Sequence, residues 1–328
     1  MKVEHLTDWK KVQELLEQTR GGLEAEVDAP KLLEFLQARI KGQDEVIGDV
    51  VKTLRSRCGQ ESRTTPVVNM LFAGPPGTGK TALAQALAEY FYGSEKNALV
   101  LKCTELSREE DKSQLIGHPV GYVGAEQGGK LTRAMFANPK RIVIFDEADR
   151  AHLVVRDLLL QILGEGELTE LYSGRKADFT KSIVILTTNL EYEALGRLAV
   201  ECKDSAEFTR ASKSQLAGPF PRFDSAILSR MNRIYSFRPL AGLHVAEIAA
   251  LMMSKTARDY RVELSYVEPQ LILDAMQAGN AIGQAGVREL RDVVTDMIGD
   301  GLLDARRAGY RRVRLSAVGD GQLTITPE

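Results

Sequence analysis

Cysteine is scarce. Cys58, Cys103 and Cys202 are the only three in 328 residues, odd in number and far apart, which argues against a disulfide framework and against a four-cysteine metal site. A reducing compartment suits such a chain. Nowhere is there the run of about eighteen uncharged apolar residues that a membrane span requires, and the polar N-terminus offers nothing fit for a signal peptide. The expected location is the cytoplasm. An excess of one charge is missing too, because 43 Lys and Arg stand against 45 Asp and Glu for a formal net charge of -2. Bulk electrostatics then gives no reason to expect nucleic acid as a partner, although a local patch could still bind it. Repeats and low-complexity tracts are not evident. What is present, 44% hydrophobic and 27% charged residues, is ordinary for a globular protein, and the length suffices for one large domain and one small one.

The most informative stretch is Met70 to Thr81, where an apolar run is followed by Gly74, Pro75, Pro76, Gly77, Thr78, Gly79, Lys80 and Thr81. Gly-x4-Gly-Lys-Thr is the spacing of a phosphate cradle. Glycines let backbone N–H groups close on phosphates, and the following helix presents its positive dipole end. Lys80 would neutralise phosphate charge and the Thr81 hydroxyl would hold Mg²⁺, which makes ATP with Mg²⁺ the expected ligand pair. The context agrees: apolar Val67 to Phe72 precedes the loop, and the helical pattern Leu83, Leu87, Tyr90, Phe91 follows it.

Around that loop the chain reads as follows. Residues 1–38 suggest two short amphipathic helices: Leu6, Trp9, Val12, Leu15 and Leu16 share one face, Gly21-Gly22 breaks the pattern, and a second helix begins near Pro30. A helix from Glu45 to Arg57 leads to the phosphate-loop strand. Four more apolar runs follow: Ala98 to Cys103, Arg141 to Phe145, Ser182 to Thr188 and Arg233 to Phe237, with helical patterns between most of them. Strands alternating with helices indicate a five-stranded parallel sheet covered on both faces. From Pro239 helical patterns dominate (Leu243 to Arg258, Gln270 to Gln277, Val287 to Arg307). A basic cluster of Arg306, Arg307, Arg311, Arg312 and Arg314 leads into a terminal hairpin of Val313–Leu315 and Gln322–Thr326, turned at Gly319 to Gly321. The expected fold class is therefore α/β, with a large nucleotide domain over 39–239 and a small, mainly helical lid domain over 240–328 that ends in a β-hairpin. The polar stretch from about 191 to 222 reads as a mobile loop or short helices.

Two strand ends carry further chemistry. The run Arg141 to Phe145 ends in Asp146-Glu147, so Asp146 can complete the Mg²⁺ shell and Glu147 can polarise an attacking water. The run Ile183 to Leu186 ends in Thr187, Thr188 and Asn189. Asn189 either orients water near the γ-phosphate or caps the next helix.

At these intervals the phosphate loop, Asp146-Glu147 and Thr187-Thr188-Asn189 resemble an AAA+ ATPase. More narrowly, Leu115 to Leu131, with Gly121, Tyr122, Val123 and Gly124 at its centre, resembles the pore-loop segment of the ClpA/ClpB class, in particular the second ATPase module. Asp146 to His152, Leu159 to Leu163, Gly166 to Thr169 and Ile40 to Gln43 continue the likeness, which runs from about residue 33 to the C-terminus. The resemblance implies that Tyr122 projects into the pore of a hexameric ring of identical chains and grips a threaded polypeptide. An aromatic side chain offers broad, sequence-tolerant contact, and flanking glycines let the loop move. Glu165 to Asp178, with Tyr172, occupies the place of a second pore loop and departs from it in sequence. Arg230, preceded by Ser229 where the family usually has Asn, matches the arginine finger that reaches the neighbouring subunit's γ-phosphate. Arg288 matches the small-domain arginine that senses nucleotide in its own subunit. Ile40 and Lys41 match positions beside the adenine, with Lys41 in place of a usual aliphatic residue.

The class also carries an N-terminal substrate domain, two ATPase modules and, in disaggregases, an inserted coiled coil. One module is legible here, without the Ile-Gly-Phe type of loop that docks a barrel protease, so a free-standing translocase module is expected, recruited by an adaptor, a partner domain or the short N-terminal helices. The implied function is ATP-dependent remodelling or unfolding of protein by a hexameric ring. Two alternatives stay open: an assembly or regulatory ATPase that switches with nucleotide and threads nothing, and a nucleic-acid remodelling loader supported by the arginine cluster.

Overall fold

A computed structural model describes residues 27–60, 62–219, 222–279, 287–318 and 322–328, apart from the side chains of 287, 288, 318 and 322. The expected helix around Trp9 and the turn Gly319 to Gly321 lie outside these residues. The chain divides into two compact units. One holds the described residues up to Ala38, Asp44–Gly74 and Lys80–Phe237, and the other holds Arg39–Gln43, Pro75–Gly79 and Arg238–Glu328.

The first unit is built on five parallel strands, β1 (Val68–Ala73), β2 (Ala98–Lys102), β3 (Ile142–Asp146), β6 (Ile183–Thr188) and β7 (Arg233–Ser236), in the order β2-β3-β6-β1-β7. Their sequences are nearly continuous apolar runs because helices cover both faces, and β1 and β6 are buried at every position. Register aligns Met70 with Ile185 and Phe145 with Leu186, so Ala73, Asp146 and Thr188 end on the same edge of the sheet. That edge is where ligands of open α/β sheets bind. The helix Lys80–Tyr92 packs Leu83, Leu87 and Phe91 inward at three- and four-residue spacing. A two-stranded antiparallel ribbon, β4 (Glu167–Thr169) with β5 (Lys176–Asp178), was not foreseen from the sequence because its strands are only three residues long. The stretch after residue 191 forms the helices Tyr192–Glu201 and Ser205–Leu216. The second is capped by Asp204, whose carboxylate accepts from the N–H groups of Ala206 and Glu207, each at 2.8 Å.

The second unit packs the helices Leu243–Asp259, Pro269–Ala278 and Val287–Arg307 on a three-stranded sheet. Leu290, Val294, Ile298 and Leu302 recur every four residues and form one buried stripe. The terminal hairpin, β9 (Arg312–Val318) with β10 (Gln322–Pro327), gains a parallel partner in β8 (Glu263–Val267). The sequence reading left β8 out, since Glu-Leu-Ser-Tyr-Val is short and half polar.

Candidate functional site

At the strand edge of the first unit, Gly74 follows β1, where a Cβ would stand 2.7 Å from the carbonyl oxygen of Phe237; only glycine fits. Lys80, buried at the start of its helix, donates from Nζ to the Gly74 carbonyl (2.7 Å) and to Asn189 Oδ1 (2.9 Å). Thr81 Oγ1 lies 3.2 Å from Asp146 Oδ1 at the end of β3. The amide of Asn189 donates in turn to Glu147 Oε1 (3.4 Å), and Glu147 Oε2 pairs with Arg150 Nε at 3.1 Å. Residues far apart in the chain thus form one network across three strand ends. Asn189 does not occupy the capping position of the next helix; Glu191 does.

Glu147 has φ 53°, a left-handed conformation that costs a non-glycine residue about 1–2 kcal/mol. Its backbone N–H donates to Thr187 Oγ1 (2.9 Å), while the same hydroxyl donates to Asp146 Oδ1 (2.7 Å). Thr188 Oγ1 donates to Asp149 Oδ1 at 2.7 Å and accepts from the N–H of Leu190. Both threonines are fully buried. Sequence reasoning named the pair in the strand-end motif but gave neither threonine a role, since their partners lie about forty residues away. Cys103, next in sequence to β2, is inert, since burial and then the charges of Asp146 and Asp149 push its thiol well up from the ordinary range.

The donor set fits magnesium nucleotide. Mg²⁺ is held by one or two carboxylates with phosphate oxygens and water rather than by an all-protein cage. Thr81 Oγ1 and Asp146 Oδ1 supply two adjacent oxygens beside the buried Lys80 ammonium.

Within the second unit, the loop residues Pro75–Gly79 and the segment Arg39–Gln43 lie together. Buried Gln43 donates from Nε2 to the carbonyls of Thr78 (3.3 Å) and Arg238 (2.9 Å), and its Oε1 accepts from the Arg238 N–H (3.1 Å). Thr78 Oγ1 donates to the Pro75 carbonyl (2.9 Å), and a Cβ on Gly79 would meet Ile40 at 3.7 Å. Pro76 and Gly77 complete that turn, and Lys41 is half-buried beside Ile40. Arg288 opens its helix, and its side chain lies outside the described residues.

Elsewhere in the first unit, Val120, Tyr122 and Val123 project into solvent, with Val123 at full exposure (104%) and Tyr122 at 63%. Gly121 (φ +102°) and Gly124 (φ +79°) turn the backbone on either side, and the His118 ring stacks on Tyr122 with centroids 5.6 Å apart. The loop is pinned at its base, where a Cβ on Gly129 would lie 2.0 Å from the Leu115 carbonyl oxygen. The β4–β5 turn joins the same base: Leu171 N–H donates to Ile116 O (2.9 Å), leaving Leu171 and Tyr172 exposed beside it. Arg230 follows the short helix Ser225–Ser229 and is exposed. Of the basic cluster in the second unit, Arg307 pairs with Asp304, Arg312 with Glu328, and Arg314 stacks on Tyr266 at 4.3 Å.

A parallel sheet with a Gly-Lys-Thr loop after β1, an asparagine at the end of the adjoining strand β6 and an acidic pair at the end of β3 beyond it defines a P-loop nucleoside-triphosphatase. The profile of the AAA domain (Cdc48 subfamily) matches residues 65–232, just over half of the chain. The chain belongs to that family and is an AAA+ ATPase of the Clp class. It is 33% identical over 304 residues to the chloroplastic chaperone protein ClpC2 of Oryza sativa subsp. japonica, covering 88% of this chain and 32% of that protein. Similarity to the ATP-dependent Clp protease ATP-binding subunit ClpA homolog of Pyropia yezoensis is 33% over 305 residues, 89% and 37% of the two chains. The negative regulator of genetic competence ClpC/MecB of Bacillus subtilis is 32% identical over 287 residues, 85% and 35%. The chain therefore spans about a third of the length of these relatives. Among the described residues no helix is long and apolar enough to cross a membrane.

Proposed function

We propose that the chain is the ATP-hydrolysing, force-transmitting module of a cytoplasmic homo-oligomeric ring, six copies around a pore, that unfolds or remodels protein. The observation that carries the reading is the Lys80–Asn189–Glu147 network, closed beside Thr81 and Asp146, in a unit that also exposes Tyr122 and Val123 on a pinned loop. Lys80 and the amides of the Gly74 to Gly79 turn bind the phosphates of ATP. Thr81 and Asp146 hold Mg²⁺, which when bound offsets charge on phosphate oxygens. Glu147 takes the proton of the attacking water, and Asn189 ties that carboxylate to the phosphate-binding ammonium, so that the two move as one. Arg230 serves a neighbouring copy, Arg288 its own copy, and Ile40 with Lys41 flanks the base. Tyr122, Val123 and the flanking Gly121 and Gly124 carry motion to the polypeptide, with Tyr172 adding a second contact.

Two variants test this. Glu147→Gln protein should bind ATP without turnover and shift by light scattering to the mass of about six chains when ATP is added. Tyr122→Ala should hydrolyse ATP at the parental rate and fail to unfold a fluorescent protein fused to an unstructured tail. A Glu147→Gln chain that stays monomeric at every concentration with ATP refutes the ring, and a Tyr122→Ala chain that unfolds the reporter normally refutes threading.

A further inference from the structure

Gly164 sits in the last turn of the helix Leu153–Glu165 with ordinary helical backbone, where glycine costs about 0.5–1 kcal/mol relative to alanine. No backbone requirement explains it: Gly164 is absent from the positive-φ residues, and the left-handed end of the helix is taken by Gly166. Its neighbour does explain it. A Cβ at position 164 would lie 2.5 Å from Nε of Arg230 and 3.3 and 3.4 Å from its Cδ and Cζ, so the guanidinium arm runs across the one bare spot on that helix. Further along the arm, Nη1 donates to the Ala226 carbonyl at 2.9 Å.

The backbone beneath the arm is held as closely. Asn69, a buried amide on the phosphate-loop strand β1, donates from Nδ2 to the carbonyls of Arg230 (3.1 Å) and Leu163 (3.0 Å), joining the arginine's own peptide to the helix that carries Gly164. Asn69 also exchanges backbone bonds with Asn232: its N–H donates to Asn232 Oδ1 (2.8 Å), and its carbonyl accepts from Asn232 N–H (2.9 Å). A buried polar side chain in an otherwise apolar strand is expensive unless it is paired; here Nδ2 is paired, to the arginine's peptide and to the Gly164 helix, while Oδ1 is buried without a partner among the described residues.

We propose that Asn69 and Gly164 are positioning residues for Arg230: Asn69 fixes its peptide and Gly164 leaves the groove that aims its guanidinium out of the unit. The inference rests on the finger role given to Arg230 above, and it adds that the aim of the finger is set from the strand that leads into the phosphate loop of the same chain.

Gly164→Ala tests it cleanly, because the three atoms nearest the added methyl all belong to the flexible arm of Arg230. ATP turnover, nucleotide affinity and thermal midpoint are measured for Gly164→Ala, Arg230→Ala and the double variant. The expected result for Gly164→Ala is a midpoint no lower than the parent, nucleotide affinity within about twofold, and kcat down by about tenfold or more. In the Arg230→Ala background the glycine change should cost nothing further. An equal mixture of Gly164→Ala and Lys80→Ala chains should turn over faster than either alone, since each supplies what the other lacks. Parental turnover in Arg230→Ala overturns the finger role and the seat with it. Turnover lost in Arg230→Ala but kept in Gly164→Ala overturns the seat alone. So does a further loss on adding Gly164→Ala to Arg230→Ala, or a Gly164→Ala chain that does not fold.

Discussion

Replacing Thr187 by Val removes one hydroxyl at nearly constant volume, and the structure says what that hydroxyl does. It donates to a carboxylate oxygen of Asp146 at 2.7 Å and accepts the N–H of Glu147 at 2.9 Å, in a fully buried position. A hydrogen bond to a charged group contributes about 1.5–3 kcal/mol and a neutral one about 1 kcal/mol, so the change should destabilise the first unit by about 3 kcal/mol. With a urea slope near 3 kcal/mol/M, the unfolding midpoint should fall by about 1 M. The kinetic effect should be larger than that of an ordinary core polar residue. Glu147 is held left-handed at φ 53°, and without its N–H anchor the strained peptide relaxes and the carboxylate moves. A displacement of about 1 Å at a catalytic group is enough for a fall of about a hundredfold in kcat. Phosphate release under saturating ATP, together with binding of a fluorescent ADP analogue, separates the two effects: kcat should fall while ADP affinity stays within about threefold. Thr187→Ser keeps the hydroxyl and should restore most of both. Parental kcat and an unmoved midpoint in Thr187→Val would refute the claim that this bridge holds the two acids in place.

Two further outcomes follow from particular contacts. Gln43→Met keeps the volume but leaves the Arg238 N–H and two carbonyls without their partner, which should lower the second unit's stability by about 2 kcal/mol and weaken nucleotide binding, read by differential scanning calorimetry and by ADP titration. The Cys58 thiol is pushed up from 9.0 to about 12 by burial, against the opposing charge of Arg63. Because the folded value is raised, its stabilising contribution is complete below the unfolded thiol's pKa and is lost as pH rises from about 9 towards 12, at up to about 1.4 kcal/mol per pH unit. Cys58→Ala should flatten that limb of a stability against pH curve, and Cys58 in the native chain should resist maleimide labelling until the chain unfolds.

Much of the first unit was legible because its signals are local. Five apolar runs bounded by turns, a glycine spacing and carboxylates at a strand end can be read residue by residue, and each corresponds to a strand of the sheet. The second unit was legible in its helices, whose four-residue stripe of Leu290, Val294, Ile298 and Leu302 is a local periodicity. Its third strand was not, since a five-residue, half-polar segment has no pattern of its own and becomes a strand only because β9 offers it an edge.

The sequence by itself determined that a Gly-Lys-Thr turn at Lys80 and Thr81 follows a buried strand and that Asp146 and Glu147 stand at the end of another. Those features depend on spacing within a dozen residues. Only the tertiary structure decided that Lys80 meets Asn189 across 109 residues, that Thr187 bridges Asp146 and Glu147 across about forty, and that Gly164 lies under Arg230. Strand order and register set those meetings, and register is fixed by packing among segments distant in the chain, which no local pattern records.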